Sequence, residues 1–339
     1  MRSSSYNTHK MCEALYFYQY VLGIPGPPNF KTVLGSITHR SLEMLAAIKL
    51  AEQDDKDSFV IDDMGEFKVG EINRSVEKCT DLAFDSYRVS EPQFNWDISP
   101  YKKYDGKIAN MHPRDICHYW VNLAITADGG YFNPLNHKII APEIKFDLEI
   151  NEPWAKYEYN ISGEKHIGNL RVVGTSDLVV EIDKDTYEII DWKTGSMMDW
   201  NTMRKKSYQD FEKEFQILLY GYALDRVFKD KELIFTIFYI RDGGPTTIAL
   251  DQKKKDAGLA LIKEKFLEIK SDNFPDKKIQ KACTTFCFFG TNNYPNTNQT
   301  YCDFLHNKIK SDGADLVAHE FGDLTKLSKY GDGGGRTDA

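Results

Sequence analysis

Gly174-Thr175-Ser176-Asp177-Leu178-Val179-Val180-Glu181 and, beyond a polar turn, Tyr187-Glu188-Ile189-Ile190-Asp191-Trp192-Lys193 form the stretch whose reading decides the fold. Residues 170–181 and 187–193 are short segments rich in β-branched and apolar side chains. Asp183-Lys184-Asp185-Thr186 lies between them, so the spacing predicts a β-hairpin. In a strand, residues i and i+2 point to one face, so Asp191 and Lys193 project together. Pairing across the turn brings Asp177 beside them, and two carboxylates and an ammonium share one patch. The competing reading of a bare Asp-x-Lys is a surface hairpin with a salt bridge. Here Asp191 follows Ile189 and Ile190 and precedes Trp192. A charged pair at the end of a buried strand needs compensation, which favours a functional site.

Outward from this hairpin the periodicity changes. Upstream, residues 31–53 have a helical pattern (Leu34, Ile37, Leu45, Ile48, Leu50), ended by Asp54, Asp55 and Asp57. A Gly/Pro-rich break at residues 25–29 precedes it, after Tyr16, Phe17, Tyr18 and Tyr20. A second helix is expected over 72–89, and Pro113 suits the first turn of a third, which continues through Trp120 and Leu123. Residues 143–150 read as a strand. Downstream, 208–228 reads as a helix and 233–241 as a strand. Asp242-Gly243-Gly244-Pro245 breaks that strand, 246–250 can pair back with it, and a helix covers 254–270. This order suggests an α/β domain with a mixed central sheet flanked by helices and a helical N-terminal insertion over about 54–130. The domain is expected to occupy residues 1–310. The stretch 311–339, ending in Gly331-Asp332-Gly333-Gly334-Gly335, is expected to be a mobile tail.

Composition narrows the function classes. The 339 residues are 41% hydrophobic and 28% charged, an ordinary globular balance, with a formal net charge of −8. Such a chain does not coat nucleic acid by bulk charge. The charge is compatible with an enzyme that holds phosphate locally through metal ions and a few basic residues. No apolar run approaches the roughly 20 residues that span a bilayer. The opening Met1-Arg2-Ser3-Ser4-Ser5-Tyr6-Asn7 lacks a signal-peptide stretch, which reads as intracellular, and specifically cytoplasmic. In that setting the six cysteines, at 12, 79, 117, 283, 287 and 302, do not suggest a disulfide framework.

The patch of Asp177, Asp191 and Lys193 suits phosphoryl chemistry. Carboxylates are hard ligands for Mg²⁺ or Mn²⁺, and such a metal lowers the pKa of a bound water and stabilises charge on phosphate oxygens. A neighbouring lysine orients or deprotonates the attacking water and adds positive charge to the transition state. Gly174-Thr175-Ser176-Asp177 with Ile190-Asp191-Trp192-Lys193-Thr194-Gly195 resembles the core of PD-(D/E)XK nucleases of the RecB type. Gly35-Ser36-Ile37-Thr38-His39, with Leu42 and Glu43, resembles the family's upstream G-x-x-x-H helix. Gln216-Ile217-Leu218-Leu219-Tyr220 resembles its downstream Q-x-x-x-Y helix. The motifs occur in family order over about residues 1–305. The resemblance implies a restriction-endonuclease-like fold, with His39, Asp177 and Asp191 as metal ligands and Lys193 as the catalytic lysine. Gln216 and Tyr220, four apart on one helix face, would steady Lys193 or touch the DNA backbone. Ordinary helix packing is the alternative for both, and for His39. Glu143 is a further candidate acid near the metals.

The cysteines extend the resemblance. Cys12 before the core and Cys283, Cys287 and Cys302 after it are similar to the subgroup, including AddB and the CRISPR-adaptation nucleases, in which four cysteines hold a [4Fe–4S] cluster. The gap from Cys287 to Cys302 is wider than the usual close grouping, so zinc and unligated buried thiols stand as alternatives. Cys79 and Cys117 read as structural. Arg204-Lys205-Lys206 is a candidate phosphate contact or a solvated loop. Trp200, Tyr208 and Phe211 are candidates for stacking on unpaired bases, or for core. The resemblance implies a DNA exonuclease acting on single strands or duplex ends, in recombination, repair or replication in a bacterium or phage. An endonuclease, an RNA-acting nuclease and a non-catalytic nucleic-acid-binding module are the alternatives.

Overall fold

Ile189-Ile190-Asp191-Trp192 lies in the middle strand of a five-stranded sheet in the computed structural model, which describes residues 1–161, 164–199, 204–271, 283–284 and 287–322. The principal helices are α1 (Ser3–Met11), α2 (Phe30–Gln53), α3 (Val76–Ser90), α4 (Pro113–Thr126), α5 (Phe215–Val227), α6 (Gln252–Ser271), α7 (Tyr301–Asp312) and α8 (Ala314–Phe321). The strands are β1 (Ser58–Ile61), β2 (Gly65–Lys68), β3 (Lys138–Glu149), β4 (Lys156–Ile161), β5 (Glu164–Asn169), β6 (Arg171–Glu181), β7 (Thr186–Lys193), β8 (Met198–Asp199), β9 (Arg204–Lys205), β10 (Glu232–Tyr239) and β11 (Gly244–Ala249). The sheet runs in the order β11-β10-β7-β6-β3. β7 pairs antiparallel with β6 and parallel with β10, and β11 folds back antiparallel on β10. The sheet is therefore mixed and carries helices around it, consistent with a restriction-endonuclease-like fold. A parallel neighbour needs a crossover, and the chain between β7 and β10 supplies α5.

The described chain divides into two compact units. The sheet unit holds Pro28–Lys145 and Thr175–Lys255, and the terminal unit holds Met1–Pro27, Phe146–Gly174 and the described residues from Asp256 onward. The unit boundaries fall after Pro27, within β3 and β6, and near the start of α6. In the sheet unit, one apolar cluster joins Leu34, Ile37, Leu45 and Ile48 of α2 with Trp120 of α4 and with Leu178, Ile190 and Trp192 of the central strands. Every one of these side chains is fully buried. That explains why β7 is an apolar run rather than an alternating one: Glu188 through Trp192 are all buried. In the terminal unit, Leu15, Tyr18, Leu22, Phe289, Leu305 and Val317 form a separate cluster.

The expected hairpin is present, with Leu178 opposite Ile190 and Glu181 opposite Tyr187. The expected helix over 208–228 is interrupted. Ser207 and Asp210 form a reciprocal capping box around the short turn Tyr208–Phe211, and the helix restarts as α5 at Phe215. The stretch 54–130 holds the β1–β2 hairpin besides α3 and α4. Within the expected tail, α8 packs with Val317 buried, and residues 323–339 lie outside the described residues. Among the described residues no helix is long and apolar enough to cross a membrane.

Candidate active site

Four elements of the sheet unit bring the predicted residues together. β6 and β7 pair as far as Leu178 and Ile190. One position further, Asp177 Oδ2 accepts the backbone N–H of Trp192 at 2.8 Å. A carboxylate thus takes a backbone donor where the ladder ends, and this fixes Asp177 beside Asp191. From α2, His39 Nδ1 reaches Asp177 Oδ2 at 3.2 Å. Lys193 Nζ stands 2.5 Å from Asp191 Oδ2. From α5, Gln216 Nε2 donates to Asp191 Oδ1 at 2.7 Å, and the Tyr220 hydroxyl donates to the Thr175 carbonyl at 2.6 Å. The Gln216–Tyr220 face therefore braces Asp191 and the backbone beside Asp177. Tyr220 is buried.

The charges balance pairwise. Burial works against the imidazolium of His39, but the Asp177 carboxylate overrides it and raises the His39 pKa. Burial likewise pushes Asp177 up, and His39 with Lys193 brings it below the usual carboxylate range. Asp191 goes the other way. Its burial, reinforced by the negative Asp177, outweighs Lys193 and holds its pKa up. Burial opposes the Lys193 ammonium, and Asp191 and Asp177 more than compensate, so its pKa is raised.

Among the described residues no three His, Cys, Asp or Glu side chains already stand in a metal-ligating arrangement. The donor set nonetheless fits a hard divalent cation: two carboxylates and an imidazole held on rigid elements. Asp191 Oδ2 is buried, with the Lys193 ammonium beside it and no further donor, while Gln216 serves Oδ1. A cation would meet an oxygen that is short of partners.

Beside these groups opens a cleft of about 690 Å³, lined by Gly35 and His39 of α2, by Thr175 and Asp177, by Thr194 after β7 and by Arg241 after β10. α2 approaches the end of β7 closely: a Cβ on Gly35 would sit 2.6 Å from Thr194 Oγ1. Glu143 lines the same cleft but is engaged with Arg40, 3.3 Å away, which also pairs with Glu43. Burial, then the hydrogen bond and the charge of Glu143, raise the Glu43 pKa to about 8. Glu143 also has a φ of +48°, unusual for a non-glycine residue.

The remaining candidates divide. Lys206 is paired with Glu214 at 2.7 Å, while Arg204 and Lys205 are exposed on β9. Tyr208 is half exposed, Phe211 is fully buried as core, and Trp200 lies outside the described residues. Cys79 and Cys117 are buried in the sheet unit, and burial pushes the Cys79 thiol up to about 12. None of the six cysteines is in a disulfide. Cys12, Cys283, Cys287 and Cys302 all belong to the terminal unit. Cys302 is in its buried cluster, with Cys12 and Cys287 packed against it. Burial and, after it, the neighbouring Cys283 and Cys287 raise the Cys12 pKa against the Leu15 N–H. Arg241, which the sequence places only at the end of a strand, also lines the cleft. The signal was its place at the C-terminal end of a strand parallel to β7, where open α/β sheets gather ligands.

The family model of the PD-(D/E)XK nuclease superfamily matches residues 3–291. No curated protein matches the chain. Among solved structures, the crystal structure of SSO0001 matches at 13% identity over 56% of this chain and 70% of that one, with a TM-score of 0.23. A superposition at that score carries no argument.

Proposed function

Since the chain belongs to the PD-(D/E)XK nuclease superfamily, we propose that it is a metal-dependent DNA exonuclease of the RecB type, acting on single strands or duplex ends. The observation that carries this reading is the pairwise set His39–Asp177 and Lys193–Asp191, placed at one end of the β6–β7 pair beside an open cleft. His39, Asp177 and Asp191 would hold the metal, and a bound Mg²⁺ or Mn²⁺ supplies an activated water and positive charge at the phosphate. Asp191, braced by Gln216, holds the Lys193 ammonium in place. Lys193 Nζ–H donates to the attacking water or to a phosphate oxygen as negative charge grows there. Tyr220 fixes the Thr175 backbone and with it the approach of Asp177. Water oxygen, having given a proton to solvent, would form the new bond to phosphorus as the bond to the 3′ oxygen breaks, and the 3′ oxygen would take a proton from Lys193 or solvent, giving a 5′-phosphate and a 3′-hydroxyl.

The nuclease domain is taken to span about residues 1–310, and recombination, repair or replication in a bacterium or phage is the setting the resemblance favours. A matched set of substrates tests the mode: linear and circular single-stranded DNA, linear duplex and RNA of the same sequence, each with Mn²⁺. Degradation confined to DNA with free ends supports the proposal. Cutting of circular DNA makes the protein an endonuclease, and cutting of RNA alone rejects DNA as substrate.

We also propose that Cys12, Cys283, Cys287 and Cys302 hold a [4Fe–4S] cluster. The support is that Cys302 lies in one apolar cluster of the terminal unit with Cys12 and Cys287 packed against it, and that Cys283 is near enough to Cys12 to raise its pKa; thiolates are the usual ligands of such a cluster. A brown anaerobic preparation absorbing near ~400 nm, lost in Cys302→Ser, is the expected result. A colourless protein containing stoichiometric zinc would reject it.

A further inference from the structure

We propose that Arg241 is a phosphate-binding residue that positions the nucleic-acid strand beside the cleavage site; this rests on the nuclease reading above. Three long cationic side chains line the cleft: Lys31, Arg40 and Arg241. Arg40 is engaged with two carboxyl groups, Glu43 at 2.5 Å and Glu143 at 3.3 Å. Lys31 has Asp105 at 4.0 Å. Arg241 has no carboxylate partner among the described residues. Among the described residues its acceptor is the Thr194 carbonyl, 3.4 Å from Nη1.

The guanidinium is held in place rather than left to wander. Its centre lies 5.1 Å from the ring centroid of Tyr101 and 5.5 Å from that of Trp120. Both rings are buried, so the platform is rigid. Packing on aromatic faces fixes the plane of an arginine and leaves its N–H fork available. A half-buried cation without a counter-ion costs free energy unless an anion completes it. The anion that matches a planar fork bidentately is a carboxylate or a phosphate.

Position selects the phosphate. Arg241 follows β10, whose Tyr239 is in register with Lys193 of β7, and the Ile240 N–H donates to the Lys193 carbonyl at 3.0 Å. The β10 end therefore places Arg241 next to Thr194, one residue past the candidate catalytic lysine. A phosphodiester entering the cleft toward His39 and Asp177 passes within the same lining as Arg241. The residue is a positioning residue: it holds the strand next to the bond that is cut.

The test uses the full chain, a fluorescein-labelled single-stranded DNA oligonucleotide, and EDTA to prevent cleavage. Anisotropy titrations run over a series of NaCl concentrations for wild type, Arg241→Gln and Arg241→Lys. Arg241→Met, which keeps an apolar stem over Trp120, is a second neutral variant held to the same criterion. Neutral variants should bind roughly tenfold more weakly at low salt. The slope of log affinity against log salt should fall by ~0.7 for the lost phosphate contact, and Arg241→Lys should keep it. In Mn²⁺ assays the neutral variants should raise KM while kcat holds. A packing role alone would lower Tm and leave the salt slope at the wild-type value, and that result overturns the proposal. Wild-type protein that binds no oligonucleotide at low salt overturns the nuclease reading itself, and is distinguishable because no variant is needed to see it.

Discussion

Gly35→Ala isolates the contact between α2 and the end of β7. The added Cβ would lie 2.6 Å from Thr194 Oγ1 and 3.7 Å from Thr194 Cβ. An ordinary carbon–oxygen contact is ~3.3 Å, so about 0.7 Å must be found by rotating Thr194 or by moving α2 away. Overpacking of this kind costs ~1–3 kcal/mol. Against it, alanine is favoured over glycine in a helix interior by about 1 kcal/mol. The two effects oppose, so Tm should shift by only a few degrees. Activity should not be spared. His39 is one turn along α2 from Gly35, and its 3.2 Å contact to Asp177 opens if the helix retreats. A misplacement near 1 Å costs on the order of 100-fold in rate. The assay is cleavage of an end-labelled oligonucleotide, with thermal denaturation alongside. Thr194→Ala removes Oγ1 and leaves the 3.7 Å contact as ordinary packing, so Gly35→Ala/Thr194→Ala should recover most of the lost rate. Full activity in Gly35→Ala, or a double variant no better than the single, would refute the reasoning.

Gln216→Leu removes the donor to Asp191 Oδ1 and leaves a buried oxygen unpaired. Stability should fall by ~1–3 kcal/mol, and activity should need roughly 10–100-fold more metal for half-saturation; unchanged metal titrations would count against the brace. Glu43 gives a pH prediction with a defined sign. Its folded-state pKa, about 8, lies above the ordinary value of 4.5, so the folded chain holds the proton more tightly. The resulting stabilisation is full below about pH 4.5 and is lost as pH rises toward about 8. Wild-type Tm should therefore decline across that window more steeply than that of Glu43→Gln, and parallel curves would exclude the effect.

Much of the fold was legible because its signals are local. The apolar run before Asp191, the polar turn at residues 183–186 and the Gly/Pro-rich break before α2 lie in consecutive residues, and the hairpin register follows from the turn. The break before α5 was legible too, in the Ser207–Asp210 box, but helical periodicity across 208–228 masked it. The convergence of His39, Asp177, Asp191 and Lys193 followed from motif order. What stayed hidden depends on long-range geometry. Nothing local says that the Asp177 carboxylate takes the Trp192 N–H, that Gln216 braces Asp191 instead of Lys193, or that Arg40 is spent on Glu43 and Glu143 while Arg241 is not. The interleaving of two units is hidden for the same reason, since three of their four boundaries fall inside β3, β6 and α6 rather than in linkers.

Asp177, Asp191 and Lys193 are proposed to cut a phosphodiester with a divalent metal. The most direct test is cleavage of an end-labelled DNA strand by wild type, Asp191→Ala and Lys193→Ala, with Mn²⁺ and with EDTA, each variant first shown to be folded. Wild type should cut only with metal, and each variant should lose on the order of 100-fold or more in rate. Cleavage that persists in EDTA, or at the wild-type rate in both folded variants, would contradict the account.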